Sequence, residues 1–223
     1  MKAPKLLYVM LALLVISVPA SAATAPILAQ YDIFNSTGTW SHDVFITNYI
    51  IAETFKVDTA GVVGSVDGTW EAVGAPTTPL KVEVRSTYRS LANGLQPDMS
   101  ANGLLYSGTI GWESMSSDPI WANCLVNPVK LVGGNPVVLQ TGTDYAVVCT
   151  AAGTNSVYRW HDKNGGWDYP GRHLVGYAGT GDELGSASGD VGFRVNGVVP
   201  EPASLLTLGC GLMGLIGMRL RRR

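Results

Sequence analysis

The densest run of chemically able side chains is Tyr158-Arg159-Trp160-His161-Asp162-Lys163-Asn164-Gly165-Gly166-Trp167-Asp168-Tyr169-Pro170-Gly171-Arg172-His173. Flat aromatic rings stack on the apolar faces of sugars, while carboxylate, amide and guanidinium groups bond the hydroxyls. Trp160, Trp167 and Tyr169, with Asp168, therefore form a candidate glycan-binding loop. In the competing arrangement Tyr158 and Trp160 fill the core and Trp167-Asp168-Tyr169-Pro170 folds back as a turn, because large aromatics are mostly buried.

The chain has three histidines, His42, His161 and His173. A hairpin across Gly165-Gly166 could bring His161 and His173 together with Asp162 or Asp168 for metal or acid–base chemistry. The alternative is two polar histidines at strand ends. Asp182-Glu183 with Asp190 has the oxygen chemistry of a calcium site but no loop consensus, and a solvated acidic turn is the better account. His-Glu-x-x-His, Gly-x-Ser-x-Gly and Cys-x-x-Cys are all absent. Zinc-protease, hydrolase-elbow and thioredoxin-like chemistry thus have no anchor, and no residue is assigned a catalytic, metal or cofactor role.

The elements that must position these groups read as short strands. Between Ala23 and Asn196 no apolar stripe holds helical spacing over three turns. Val44–Ile50, Glu53–Val57, Leu80–Arg85, Leu104–Ile110, Leu125–Leu131, Asp144–Thr150, Ser156–His161, His173–Tyr177 and Val191–Val195 show alternation or β-branched enrichment. In Leu80–Arg85 the alternation puts Leu80, Val82 and Val84 on a buried face and the charges in water. Asp144–Thr150 reads as a central strand buried on both sides. Asn93-Gly94, Asn102-Gly103, Gly133-Gly134-Asn135-Pro136 and Asn164-Gly165-Gly166 supply turns, while Thr87–Asn102 reads as a surface loop. The predicted fold is an all-β, antiparallel sandwich over residues 23–197.

The chain ends carry the clearest signals. Met1–Lys5 is basic, Leu6–Val18 is apolar, and Ala20-Ser21-Ala22 has the small-x-small pattern that signal peptidase accepts. Residues 1–22 are thus expected to be a signal peptide, with a helical apolar segment and cleavage between Ala22 and Ala23. Lys2, Lys5, Arg219, Arg221, Arg222 and Arg223 account for six of the 15 basic residues. With Glu201 also in the tail, the remaining nine face 16 acidic ones, so residues 23–197 carry about −7. An acidic exported domain disfavours nucleic-acid binding, which needs clustered Lys and Arg. Cys124 and Cys149 are the two cysteines of this region, and an oxidising compartment favours a bridge between them. Two separately buried thiols are the alternative.

At the C-terminus, Pro200-Glu201-Pro202 forms a stiff, extended approach, because each proline restrains the residue before it. Ala203–Met218 follows without a charge and reads as a single transmembrane helix. As a helix it would be about 24 Å long, against a hydrocarbon core of roughly 30 Å. Gly209, Gly211, Gly214 and Gly217 allow another membrane protein to approach closely. Arg219, Arg221, Arg222 and Arg223 stop transfer on the cytoplasmic side.

Residues 198–223 resemble the PEP-CTERM sorting signal: motif, short apolar helix and terminal arginines in order. The resemblance implies recognition of Pro200, Glu201 and Pro202 by exosortase, a membrane-embedded cysteine transpeptidase of Gram-negative bacteria that make exopolysaccharide. It further implies a transient inner-membrane stage, with the domain outside the cytoplasm, and then passage to the cell surface or matrix. Val129–Val148, with its strand entered through Gly142-Thr143-Asp144-Tyr145, is similar to a passage in jelly-roll-like exported domains, some carrying variable C-terminal anchors. The expected protein is a non-catalytic envelope or biofilm-matrix component with glycan affinity toward exopolysaccharide. The alternative is a secreted hydrolase acting on extracellular polysaccharide.

Overall fold

The computed structural model describes residues 24–31, 40–46, 49–115, 121–151, 157–163, 172–177, 183–186 and 190–198. The expected signal helix with its Ala22–Ala23 cut, the expected transmembrane helix, the Pro200-Glu201-Pro202 motif and the terminal arginines lie outside these residues, as do Trp167, Asp168 and Tyr169. The compact β unit spans Ala25–Val198. Apart from a 3-10 turn at Trp112–Ser114, its regular structure among the described residues is entirely β. No helix among the described residues is long and apolar enough to cross a membrane.

The strands are β1 (Ile27–Tyr31), β2 (Trp40–Ile46), β3 (Tyr49–Lys56), β4 (Val63–Gly68), β5 (Trp70–Ala72) and β6 (Leu80–Ser90). Next come β7 (Gly94–Pro97), β8 (Leu104–Ile110), β9 (Ala122–Leu125), β10 (Asn127–Pro128), β11 (Leu131–Val132) and β12 (Asn135–Pro136). Last are β13 (Asp144–Ala151), β14 (Tyr158–Lys163), β15 (Arg172–Tyr177), β16 (Gly185–Ser186), β17 (Asp190–Val191) and β18 (Phe193–Gly197).

An eight-stranded antiparallel sheet runs β10-β8-β6-β13-β3-β15-β16, with β7 paired to the far half of β6. A four-stranded sheet runs β1-β18-β4-β9, and a second runs β17-β14-β2 with β5 on β14. Besides the short β11-β12 ribbon, these three sheets feed one core: Ile51, Phe55, Val82 and Val147 come from the large sheet, Val66 and Phe193 from the first small one, Trp70 and Trp160 from the second. Phe55 meets Phe193 across this core with ring centroids 5.6 Å apart. Burying such side chains is worth about 1.5–3 kcal/mol each, which is what holds sheets with few cross-links together.

The small sheets meet where two strands bend. The chain breaks its pairing at Thr69, between β4 and β5, and at Gly192, between β17 and β18. The Thr69 amide donates to the Gly192 carbonyl at 3.2 Å, the His161 amide to the Thr69 carbonyl at 3.0 Å, and the Gly192 amide to the His161 carbonyl at 3.3 Å. The Thr69 hydroxyl adds a bond to the His161 carbonyl at 3.0 Å. The backbone groups freed by the bends are thus satisfied by one another.

Several sequence expectations change here. Val44–Ile50 is not one strand: β2 pairs with β14, while β3 belongs to the eight-stranded sheet. Leu125–Leu131 is likewise divided, with β9 on β4 and β10 on β8, so the segment crosses from one layer to the other. Thr87–Asn102 is largely a hairpin rather than a loop, because β6 runs on to Ser90 and Gly94 takes a left-handed φ of 73° at the turn.

Leu80, Val82 and Val84 are fully buried as expected, but Glu83 and Arg85 are also buried, at 3% and 7% exposure. The second face of this sheet has its own small core of Ala52, Ala146, Val148 and Leu184. Gln96, on β7, grips Leu184 with both ends of its amide, donating to the Leu184 carbonyl at 3.1 Å and accepting from its amide at 3.0 Å. Strand alternation assumed water on that side, and Leu184 with the β7 arm of the same hairpin covers it instead. β13 is accordingly buried on both faces, with Val147 and Cys149 in the large core and Ala146 and Val148 in the small one.

Candidate functional site

Trp160, the first residue of the predicted glycan loop, is corrected by its burial: its exposure is 0%. It pairs in register with Trp70, packs edge-on against that ring at 5.9 Å, and donates its indole N–H to the Gly192 carbonyl at 2.9 Å. Tyr158, also buried, donates its hydroxyl to the Thr78 carbonyl at 2.6 Å. These two rings form core, as the competing arrangement had it, and Trp160 has no face to offer a sugar. Trp167, Asp168 and Tyr169 lie outside the described residues.

The strands of His161 and His173 do not pair as a hairpin, because β14 and β15 belong to different sheets. His161 Nε2 lies 3.2 Å from Glu71 Oε2, which Arg159 also approaches at 3.5 Å. Register sets His173 opposite Glu53 and Asp162 opposite Val191. The acidic calcium candidates separate as well. Glu183 accepts from the Ser90 hydroxyl at 2.6 Å and from the Asn93 amide at 2.9 Å, which ties it to the β6–β7 hairpin. Asp190 is buried beside Glu53, and Asp182 lies outside the described residues. Among the described residues no three His, Cys, Asp or Glu side chains are grouped to hold a metal.

Glu53 is the most unusual ionisable group. It is fully buried on the core face of β3, and neither carboxyl oxygen has a partner at hydrogen-bonding geometry. Burial and then the neighbouring Asp190 push its pKa well above the usual carboxyl range, opposed in part by the nearby Val191 amide. Both carboxyls are sealed from solvent in this arrangement, so they present no surface to a substrate.

The expected Cys124–Cys149 bridge is absent: both are free, buried thiols. Register explains why. Cys149 stands opposite Val82, and Val82 stands opposite Gly108, so Cys149 and Gly108 are two strand spacings apart, about 10 Å. The Cys124 sulfur sits over Gly108, 3.1 Å from where a Cβ would be. A disulfide needs its Cβ atoms at about 4 Å. Burial pushes the Cys124 thiol up to about 12 and, together with the proximity of Cys124, raises Cys149 well above the usual range. Neither is a nucleophile.

The outer face of β1-β18-β4-β9 carries an ordered polar array that strand reading did not single out. Asp67 is in register with Asn123 on one side and Arg194 on the other, and Ser65 is in register with Asn196. Asn123 Nδ2 donates to Ser65 Oγ at 2.9 Å and to Asp67 Oδ1. Asn196 Nδ2 donates to Ser65 Oγ at 3.2 Å and to Asp67 Oδ2 at 2.9 Å. Arg194 lies over the Trp121 ring, 4.2 Å from its centroid. The signal in the sequence was the alternation of Ser65-Val66-Asp67 and Arg194-Val195-Asn196, but nothing local says that these segments are neighbours.

In sequence, the β unit is followed by Pro200-Glu201-Pro202, an uncharged apolar run and a basic end, the order of a C-terminal sorting signal. The signal itself is the PEP-CTERM protein-sorting motif, whose family model matches residues 198–223. The match contains Pro200-Glu201-Pro202, the apolar run and the terminal arginines. The chain is therefore an exosortase substrate that transits a membrane. No curated protein matches the chain.

Proposed function

We propose that the protein is a non-catalytic component of the cell envelope or biofilm matrix, a jelly-roll-like β-sandwich delivered by exosortase and active through its surface toward exopolysaccharide. The observation that carries this reading is the sorting match at residues 198–223. The disposition of the described ionisable groups supports the non-catalytic part. Glu83 and Arg85 pair inside the fold, Glu183 ties down a hairpin, and Glu53 and Asp190 are buried.

Mass spectrometry of the protein recovered from the producing strain should find a C-terminus near Pro200–Pro202. An intact tail ending at Arg223 refutes the delivery route. Incubation with the strain's own polysaccharide should release no reducing ends; release that tracks the purified protein refutes the non-catalytic reading.

A further inference from the structure

The array on the outer face of β1-β18-β4-β9 has more order than a solvated surface requires. Each of the two asparagines commits both amide hydrogens to the same pair of acceptors, Ser65 Oγ and the Asp67 carboxylate. This fixes both amide orientations, since the opposite flip would set an amide oxygen against the carboxylate. The Asn123 and Asn196 oxygens then face away from Asp67 and remain open as acceptors. They do not converge with the carboxylate on a point, so the geometry is wrong for a cation.

The result is a flat surface about 10 Å across three strands, rich in fixed acceptors and bordered by Trp121 under the Arg194 guanidinium. Asp67 and Arg194 balance each other in charge, and the surrounding domain is acidic. A polyanion such as nucleic acid or an acidic polysaccharide is repelled. A ligand that donates many hydrogen bonds and carries no charge is matched, and its binding orders no side chain that is not already ordered.

We infer that this face binds a neutral, hydroxyl-rich polysaccharide, with Asn123 and Asn196 accepting from sugar hydroxyls and Trp121 flanking the chain. The inference deepens the surface role proposed above and depends on it only for where the ligand is met. Binding by purified protein is read independently of sorting.

The test is affinity electrophoresis of the processed protein in gels containing amylose, dextran or xylan, with alginate as the anionic comparison. Retardation is expected in at least one neutral gel and not in alginate. Asn123→Ala/Asn196→Ala should weaken the apparent affinity at least about tenfold, the loss of one to two hydrogen bonds, with an unchanged thermal midpoint. Tyr88→Ala, an exposed aromatic away from the array, should bind as wild type. If the double variant does not fold, Asp67→Asn disturbs the same array with a near-isosteric side chain and should weaken binding likewise. The inference is overturned by no retardation in any neutral gel, by equal retardation in alginate, or by a folded variant that binds as wild type. A concentration-dependent dimer abolished by Asn123→Ala/Asn196→Ala would also overturn it, by assigning the face to a second copy of the chain.

Discussion

Arg85 offers the sharpest test of how the β6–β7 hairpin is held on the large sheet. Its Nε lies 2.6 Å from Glu83 Oε2, and one of its terminal nitrogens donates to the Asp98 carbonyl at 2.8 Å and the Ser100 carbonyl at 3.0 Å. Arg85→Met keeps the aliphatic stem but removes the charge and all three bonds. Breaking a buried ion pair from one side costs about 3–5 kcal/mol, because the remaining charge stays buried without compensation. Lys81 also reaches Glu83, at 2.5 Å, but it is half exposed, so it softens the loss without cancelling it. We expect a loss of about 3 kcal/mol, equivalent to roughly 6–12 °C in midpoint for a domain of this size.

Removing both charges in Glu83→Leu/Arg85→Met should return stability to within about 1 kcal/mol of wild type, since an apolar pair carries no desolvation penalty. Urea denaturation followed by tryptophan fluorescence measures both variants. A loss below about 1 kcal/mol for Arg85→Met, or a double variant as unstable as the single one, would refute the account of Glu83 as a buried charge held by Arg85.

Three further outcomes follow from the packing. Gly68→Ala would place a Cβ 2.2 Å from the Trp70 indole, inside the core, and should cost about 1–3 kcal/mol in the same urea experiment. Glu53 has a raised pKa in the folded state, so its contribution is fully present below the unfolded value near 4.3 and is lost as pH rises through the folded one. Wild type should therefore lose stability as pH rises from the unfolded value to the folded one and level off above it, and Glu53→Gln should flatten this slope in urea midpoints taken across pH. For the cysteines, native protein at pH 8 should resist iodoacetamide, and denatured protein, without reductant, should take up a label on both Cys124 and Cys149 by mass spectrometry. Absence of label on both would mean a bridge and contradict the register between Cys149, Val82 and Gly108.

The strands of the interior were legible wherever burial on one face wrote a period of two, as in Leu80–Arg85, or burial on both faces wrote a continuous run, as in Asp144–Thr150. Glu83 and Arg85 were misplaced because charge implies water only until another segment covers the face, and the covering residues on β7 and at Leu184 lie outside the alternating run. Trp160 was ambiguous for a related reason: an aromatic in a strand reads the same whether its side faces a ligand or the core. The Asp67 array was illegible because its members come from strands separated by 129 residues, as Asp67 and Asn196 are, and single-sequence periodicity carries no information about which strands pair. The cysteine bridge followed from compartment and even number alone, and neither of these knows about register.

The pairing of β1 with β18 has a mechanical meaning. Ile27 stands opposite Asn196, and the Gly197 amide donates to the Pro26 carbonyl at 2.7 Å. The chain therefore enters and leaves the β unit side by side, on adjacent strands of one sheet. A tether on the residue before Pro26 and another on the residue after Gly197 would pull that pair apart one rung at a time, the weak direction for a ladder. Severing either tether outside Ala25–Val198 removes the load without removing a single strand rung.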